Sequence, residues 1–297
     1  MSSTRVTPIP VASRSWAFVA LAKPDVTFLV VLTTMAGYYL GSSAPVSPLG
    51  MFNAVFGTTL VAAGTAALNH YIERASDARM RRTSSRPLPL GVLRPVEALT
   101  FGAGLVVLGG FYLLSLTNVI ACSLALLTTA LYLGVYTPLK KRTTWATAVG
   151  AFPGALPPLI GWAAARGSLA GSAWLLFAIL FLWQFPHFYS IAWMYREDYA
   201  RAEIQMLPVI DRAGSATFGQ IIFTAAALVP VSLLPSVVGL AGIRYFFGAL
   251  ILGMALVQVC LWASRDRTNV RAKCLMHATV AHIPLLLGLL MLDKVVR

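Results

Sequence analysis

The chain has 297 residues, of which 58% are hydrophobic and only 11% charged, with a net charge of +13. A soluble domain of this length carries about 25% charged residues, so the composition excludes an ordinary soluble enzyme. The three cysteines, Cys122, Cys260 and Cys274, lack C-x-x-C spacing. They support no disulfide framework, zinc site or haem-attachment motif, and read as small apolar residues in or near helices.

The first 15 residues are Ser/Thr/Pro-rich and weakly basic, without an apolar stretch of their own. They predict an N-terminal tail over 1–15 rather than a cleaved signal peptide. From there, apolar runs of roughly 20 residues recur to the end, each enough to cross a bilayer core. The pattern predicts nine spans, at about 16–40, 49–72, 95–115, 118–137, 144–163, 172–195, 214–236, 242–263 and 275–293, to within several residues. The expected fold is all-α: a polytopic integral membrane protein with one transmembrane domain over 16–297 and no separate soluble domain.

Lysine and arginine set the orientation. Of the 23, 19 fall in the N-terminus with Lys23, in 73–94, in 140–142, in 196–212 and in 265–273; Arg166, Arg244, Lys294 and Arg297 fall on the other side. The alternation predicts a cytoplasmic N-terminus, cytoplasmic loops at 73–94 and 196–213, and a C-terminus on the far side. It accounts for the basic charge without nucleic acid. These two loops follow spans two and six, which hints at two similar halves, with no residue-level repeat to support it.

The run from Ala151 to Gly161 holds three prolines and two glycines, which should break its helix. Broken helices at membrane depth survive where protein or a water-filled cavity satisfies the freed backbone. A cavity wall and a close-packing adaptation are equally good readings.

Six of the ten acidic residues lie in two short segments at that cytoplasmic side. Asn69, Glu73 and Asp77 are spaced i, i+4, i+8 and share one helix face. Two carboxylates at i, i+4 repel without a cation, and oxygen donors in this pattern suit Mg²⁺ with substrate phosphates. The second segment holds Glu197, Asp198, Glu203 and Asp211. Asp198 is the better ligand, Glu197 next to Arg196 is as readily a surface pair, and Glu203 and Asp211 read as solvated loop charges. Arg82 and Arg86 lie beyond the carboxylate face in a loop that could fold back, and arginine forks match phosphate oxygens. Lys140 is as readily a topology anchor as a phosphate contact. His187 sits alone in an aromatic run, more in keeping with a buried structural histidine than a functional one. The aromatics Trp183, Phe185, Phe188, Tyr189, Trp193 and Tyr195 read mainly as packing or lipid-facing, with a subset able to line an apolar tunnel and face an allylic cation.

Three segments together resemble the UbiA superfamily of intramembrane prenyltransferases. They are Asn69-x3-Glu73-x3-Asp77-x2-Met80-x-Arg82-Thr83-x2-Arg86-Pro87-Leu88; Tyr136-Thr137-Pro138-Leu139-Lys140 with Gly154-Ala-Leu-Pro-Pro158 and Gly161-Trp162; and Trp183-Gln-Phe-Pro-His187-Phe188 with Asp198-Tyr199 and Met206-Leu-Pro-Val209. The last two resemble the branch whose acceptor is haem. Glu203 and Gln205 stand where this pattern usually has Gly and Pro, Asp25 where Arg commonly follows Lys-Pro, and the second motif lacks the D-x3-D spacing of the wider superfamily.

The resemblance implies a bundle around a central cavity, in the plasma (inner) membrane of a bacterium. It implies farnesyl diphosphate held through Mg²⁺ by Asn69, Glu73, Asp77 and Asp198, with Arg82, Arg86 and Lys140 neutralising the diphosphate. A vinyl group of haem B (protohaem IX) takes the farnesyl group, and water completes the side chain to give haem O. Haem is then a substrate, and His187 a candidate contact for it. A haem A synthase or a terminal oxidase assembly is a candidate partner. The alternatives are a prenyltransferase with an aromatic-acid or chlorin acceptor, and a cation-coupled transporter, which would favour acids at mid-membrane depth.

Overall fold

The computed structural model describes residues 11–43 and 45–295 and, within them, is built of helices. They are α1 (Val11–Leu21), α2 (Pro24–Gly41), α3 (Pro48–Asp77), α4 (Pro95–Leu116), α5 (Val119–Ala130) continued by a π-helical turn (Leu131–Tyr136) into α6 (Thr137–Leu139), α7 (Ala146–Gly154), α8 (Pro157–Arg166), α9 (Gly171–Met194), the short α10 (Arg196–Arg201) and α11 (Leu207–Ile210), then α12 (Ser215–Val237), α13 (Ile243–Asp266) and α14 (Asn269–Leu292). Eight helical segments are long and apolar enough to cross a membrane, and the bent pair α1–α2 makes a ninth. The chain is an integral membrane protein.

Local chemistry places the ends. Ser47 accepts from the Gly50 amide ahead of Pro48, and Asn118 accepts from the Ala121 amide at 3.0 Å; side-chain oxygens here satisfy amides that lack an intrahelical partner. Asp211, expected to be a solvated charge, caps α12. It accepts from the amides of Gly214 (3.1 Å) and Thr217 (2.7 Å) and from the Thr217 hydroxyl. These hydrogen bonds hold its carboxyl below the usual aspartate range against the opposing effect of burial.

Two predicted spans depart from straight helices. The first bends by 46° at Ala22–Lys23, where Lys23 takes a left-handed φ of 47° ahead of Pro24. Its helix starts at Val11, inside the predicted tail, whose residues 1–10 lie outside the described part. The fifth breaks between Gly154 and Pro157, as the prolines dictate. Both readings of that break hold. The Gln184 amide nitrogen donates to Ala151 O at 2.9 Å, a carbonyl that also accepts from the Ala155 amide at 3.1 Å, which braces the last turn of α7 against α9, and Pro153, Gly154, Pro157 and Ile160 line a cavity. A Cβ on Gly161 would sit 1.9 Å from Thr34 O, so α8 meets α2 backbone to backbone.

Helix α3 packs on α4, α2 on α8, and α9 on α12 and α14, with α14 returning to α2 to close the bundle. The chain end seals one face. Lys294 Nζ donates to Tyr39 O (2.6 Å) and Ser42 O (2.7 Å) at the end of α2, and Asp293 accepts from the Gly242 and Tyr245 amides ahead of and within α13. Trp183, Phe185, Tyr189 and Trp193 are buried core rather than lipid-facing. The indole of Trp183 donates to Thr279 O and that of Trp193 to Arg267 O, at 2.8 and 2.7 Å.

Candidate active site

The charged loops gather at the face opposite Lys294. Asn69, Glu73 and Asp77 share one side of the last turns of α3, as the spacing requires. Each meets a cation from elsewhere in the chain. Lys23, at the α1–α2 bend, donates to Asn69 Oδ1 at 2.7 Å, and Asn69 Nδ2 donates to the Thr137 hydroxyl at 3.3 Å. Lys140 Nζ lies 2.7 Å from Glu73 Oε1, and Arg86 Nη1 2.7 Å from Asp77 Oδ2. The Arg82–Arg86 loop does fold back, anchored by the Thr83 hydroxyl donating to Asp77 O at 2.9 Å.

Lys140 is therefore more than a topology anchor. Its ammonium also lies over the Tyr136 ring at 4.4 Å and the Tyr132 ring at 6.0 Å. Burial opposes its charge, but Tyr136 and Glu73 outweigh burial and hold it well above the usual lysine range, so it stays protonated at neutral pH.

Asp198 is buried and joins the same face. It accepts from the Arg82 backbone amide at 3.1 Å and pairs with Arg201. The Arg82 side chain turns to Tyr195, 4.9 Å above the ring, and to the Tyr199 hydroxyl. Arg81, Arg82, Arg201, Glu197 and Asp198 thus surround an open pocket with Tyr195 and Met194. Of the two readings of Glu197, the surface pair with Arg196 does not form, because Arg196 is taken by Asn269 Oδ1 and Trp193 O. Glu203 pairs with Arg79 at the surface.

Below the charged residues lies an apolar cavity. Lys23, Thr27 and Tyr132 line it nearest the charged face, and Thr58, Val61, Ala125 and Ile160 line it deepest. Its threonines do not make it polar. Thr27, Thr58, Thr65 and Thr128 each return their hydroxyl to a carbonyl four or five residues back, at 2.6 to 2.8 Å, which leaves methyl groups to face the space.

His187 lies elsewhere. Its Nδ1 is 2.9 Å from the Thr279 hydroxyl, its ring stacks on Trp183, and it lines neither the cavity nor the open pocket. Lys23, Tyr132 and Thr137 also reach the site, from a helix bend, a π-turn and the first position of α6, none of which carries a periodic signature.

The donors fit a hard cation. All are oxygens, and Asp77 Oδ1 is buried with no hydrogen-bond partner. Among the described residues, no three His, Cys, Asp or Glu side chains converge. Mg²⁺ commonly takes one or two carboxylates and completes its shell with water and phosphate, so this set suits a cation that arrives with a diphosphate.

An α-helical bundle whose face of paired carboxylates and cations opens onto a methyl-lined cavity defines an intramembrane enzyme for amphipathic anions. The chain belongs to the UbiA prenyltransferase family, whose model matches residues 30–283. It is 46% identical over 286 residues to a protoheme IX farnesyltransferase of Solibacter usitatus, covering 93% of this chain and 98% of the relative. It is 45% identical to the enzyme of that name from Salinibacter ruber, over 94% and 98%. The fold matches a digeranylgeranylglyceryl phosphate synthase at a TM-score of 0.77 (18% identity, 95% and 98% covered). It also matches a UbiA homologue of Archaeoglobus fulgidus bound to DMAPP and Mg²⁺ at 0.67 (14% identity, 92% and 98% covered).

Proposed function

We propose that this protein transfers the farnesyl group of farnesyl diphosphate to a vinyl group of haem B, with addition of water, giving haem O and diphosphate. The observation that carries the donor half is the apolar cavity beneath the Lys23–Asn69 and Glu73–Lys140 contacts. Near-full-length similarity to protoheme IX farnesyltransferases supports haem as acceptor.

Lys23, Lys140 and Arg86 bind the diphosphate, assisted by Arg82, and the cavity takes the isoprenoid chain. Asn69, Glu73, Asp77 and Asp198 would hold Mg²⁺, which when bound draws charge from the diphosphate and makes it a better leaving group. Cations already fixed by their carboxylates need little rearrangement as negative charge builds on the departing oxygen. As the C1–O bond breaks, the vinyl terminus of haem bonds to C1 and the positive charge passes to the neighbouring vinyl carbon. Water adds there and loses a proton to solvent. The methyl wall keeps water from the allylic carbon, and the Tyr132 face is placed to stabilise its charge. The charged face is cytoplasmic, in the inner membrane of a bacterium, and an oxidase-assembly protein such as a haem A synthase takes up the product.

The test is incubation of the purified protein with haem B, farnesyl diphosphate and Mg²⁺, with pigments resolved by mass, beside Asp77→Ala. A haem product gaining farnesyl plus water, lost in the variant and without Mg²⁺, is expected. Prenylation of an aromatic acid but not of haem would overturn the acceptor, and failure of the folded protein to release diphosphate with any acceptor tested would overturn the reaction.

A further inference from the structure

We infer that Thr58, Val61, Ala125 and Ile160 form a floor that gauges the donor's isoprenoid chain at three units. This rests on the reading of the cavity as the donor's site. Glu73 on α3 meets Lys140, at the end of the α5–α6 span, at 2.7 Å, which places those two positions level at the charged face. The π-turn shifts the register between the two spans, and lower down the Thr65 and Thr129 hydroxyls meet at 2.7 Å. Four residues earlier on each span lie Val61 and Ala125, level with each other, and both line the deep end of the cavity with Thr58 one turn below. Two helices thus give the same bottom.

The reacting carbon lies just below the diphosphate, near the level of Lys23 and Asn69. The eleven residues from Asn69 to Thr58 span about 16 Å of helix, the extended length of a three-unit isoprenoid and a full unit short of a four-unit one. Below the floor the bundle is solid. Val61, Ala125 and Ile160 pack with Leu113, Ala121, Cys122 and Ala163 in one buried cluster. On α2 and α7 the lining stops higher, at Val30 and Gly154, so α3, α5 and α8 alone set the depth.

The floor is built from residues whose size can be changed without touching a charged group. Ile160→Ala deepens the space and Ala125→Leu fills it. The experiment measures kcat/KM for geranyl, farnesyl and geranylgeranyl diphosphates with haem B and Mg²⁺, using the full chain in detergent, and identifies the products by mass. Wild type is expected to favour farnesyl. Ile160→Ala should raise the geranylgeranyl-to-farnesyl ratio about tenfold, and Ala125→Leu should raise the geranyl-to-farnesyl ratio about tenfold, the scale by which a change of a few methylenes in an apolar pocket discriminates. Should Ile160→Ala not fold, Val61→Ala opens the same floor from α3. Ratios within twofold of wild type in folded variants that still transfer farnesyl would overturn the gauge. Absence of transfer from all three donors in wild type would overturn the underlying reading instead.

Discussion

The backbone amide of Arg82 donates to Asp198 Oδ2 at 3.1 Å, joining two loops 116 residues apart. The bond uses the Arg82 main chain, so the guanidinium is left to Tyr195 and Tyr199 beside the open pocket. Asp198 thus has two separable roles, holding the loop and carrying charge at the site.

That separation gives the first expectation. Arg82→Ala keeps the amide and should lower farnesyl transfer by about 100-fold, the scale of a lost electrostatic contact, with thermal unfolding nearly unchanged. Asp198→Ala should lose the activity and also about 1–3 kcal/mol of stability, because it leaves the Arg82 amide without its acceptor. Equal unfolding temperatures for the two variants in detergent would refute the assignment.

The Glu73–Lys140 pair is largely shielded, its side chains 15% and 13% exposed. Glu73→Gln leaves the Lys140 ammonium uncompensated and should destabilise by about 3 kcal/mol. The double variant Glu73→Gln/Lys140→Met should recover most of that stability and none of the activity. A double variant as unstable as the single one would show that the pair does not act as a unit. Because Lys140 is held charged well above the ordinary lysine range, the pair's stabilisation is fully present at neutral pH. On the alkaline side it fades as pH rises through that raised value.

Glu203 and Gln205, the two departures from the family pattern, should respond oppositely to reversion. Glu203 has a φ of +58°, a left-handed conformation that costs a non-glycine residue about 1–2 kcal/mol. Its ion pair with Arg79 is exposed on both sides and contributes little. Glu203→Gly should therefore raise the unfolding temperature, by the equivalent of about 0.5–1 kcal/mol after the greater freedom of glycine in the unfolded chain. The Gln205 amide, by contrast, donates to Lys140 O at 2.7 Å. Gln205→Pro removes that donor and should destabilise by about 1–3 kcal/mol. Differential scanning of the two variants tests both signs at once.

Lys294 ties the chain end to α2 through two carbonyls and lies 4.8 Å from the Tyr39 ring centre. Hydrogen bonds from a charged donor contribute about 1.5–3 kcal/mol each, so Lys294→Met should lower stability by several kcal/mol, short of full additivity. KM for farnesyl diphosphate should not change, since the site is at the other face. A raised KM with unchanged unfolding would place Lys294 in the wrong role.

The sequence by itself determined the membrane class, the number of crossings and the shared face of Asn69, Glu73 and Asp77. Hydropathy and the 3.6-residue period are local properties, and a helix in lipid must satisfy its own backbone. The break at 154–157 was legible for the same reason, since proline removes a donor wherever it stands. Only the tertiary structure decided which cation meets each carboxylate, that Asp198 bonds a main chain rather than a side chain, that Asp211 caps a helix, and that Lys23 and Tyr132 reach the site. Those contacts join residues as many as 116 positions apart through a helix bend, a π-turn and a folded loop, and no periodicity along the chain encodes the meeting of two helices. The cavity belongs to the same class. Its walls come from α2, α3, α5, α7 and α8 together, so its depth exists only once those helices have settled at their relative heights.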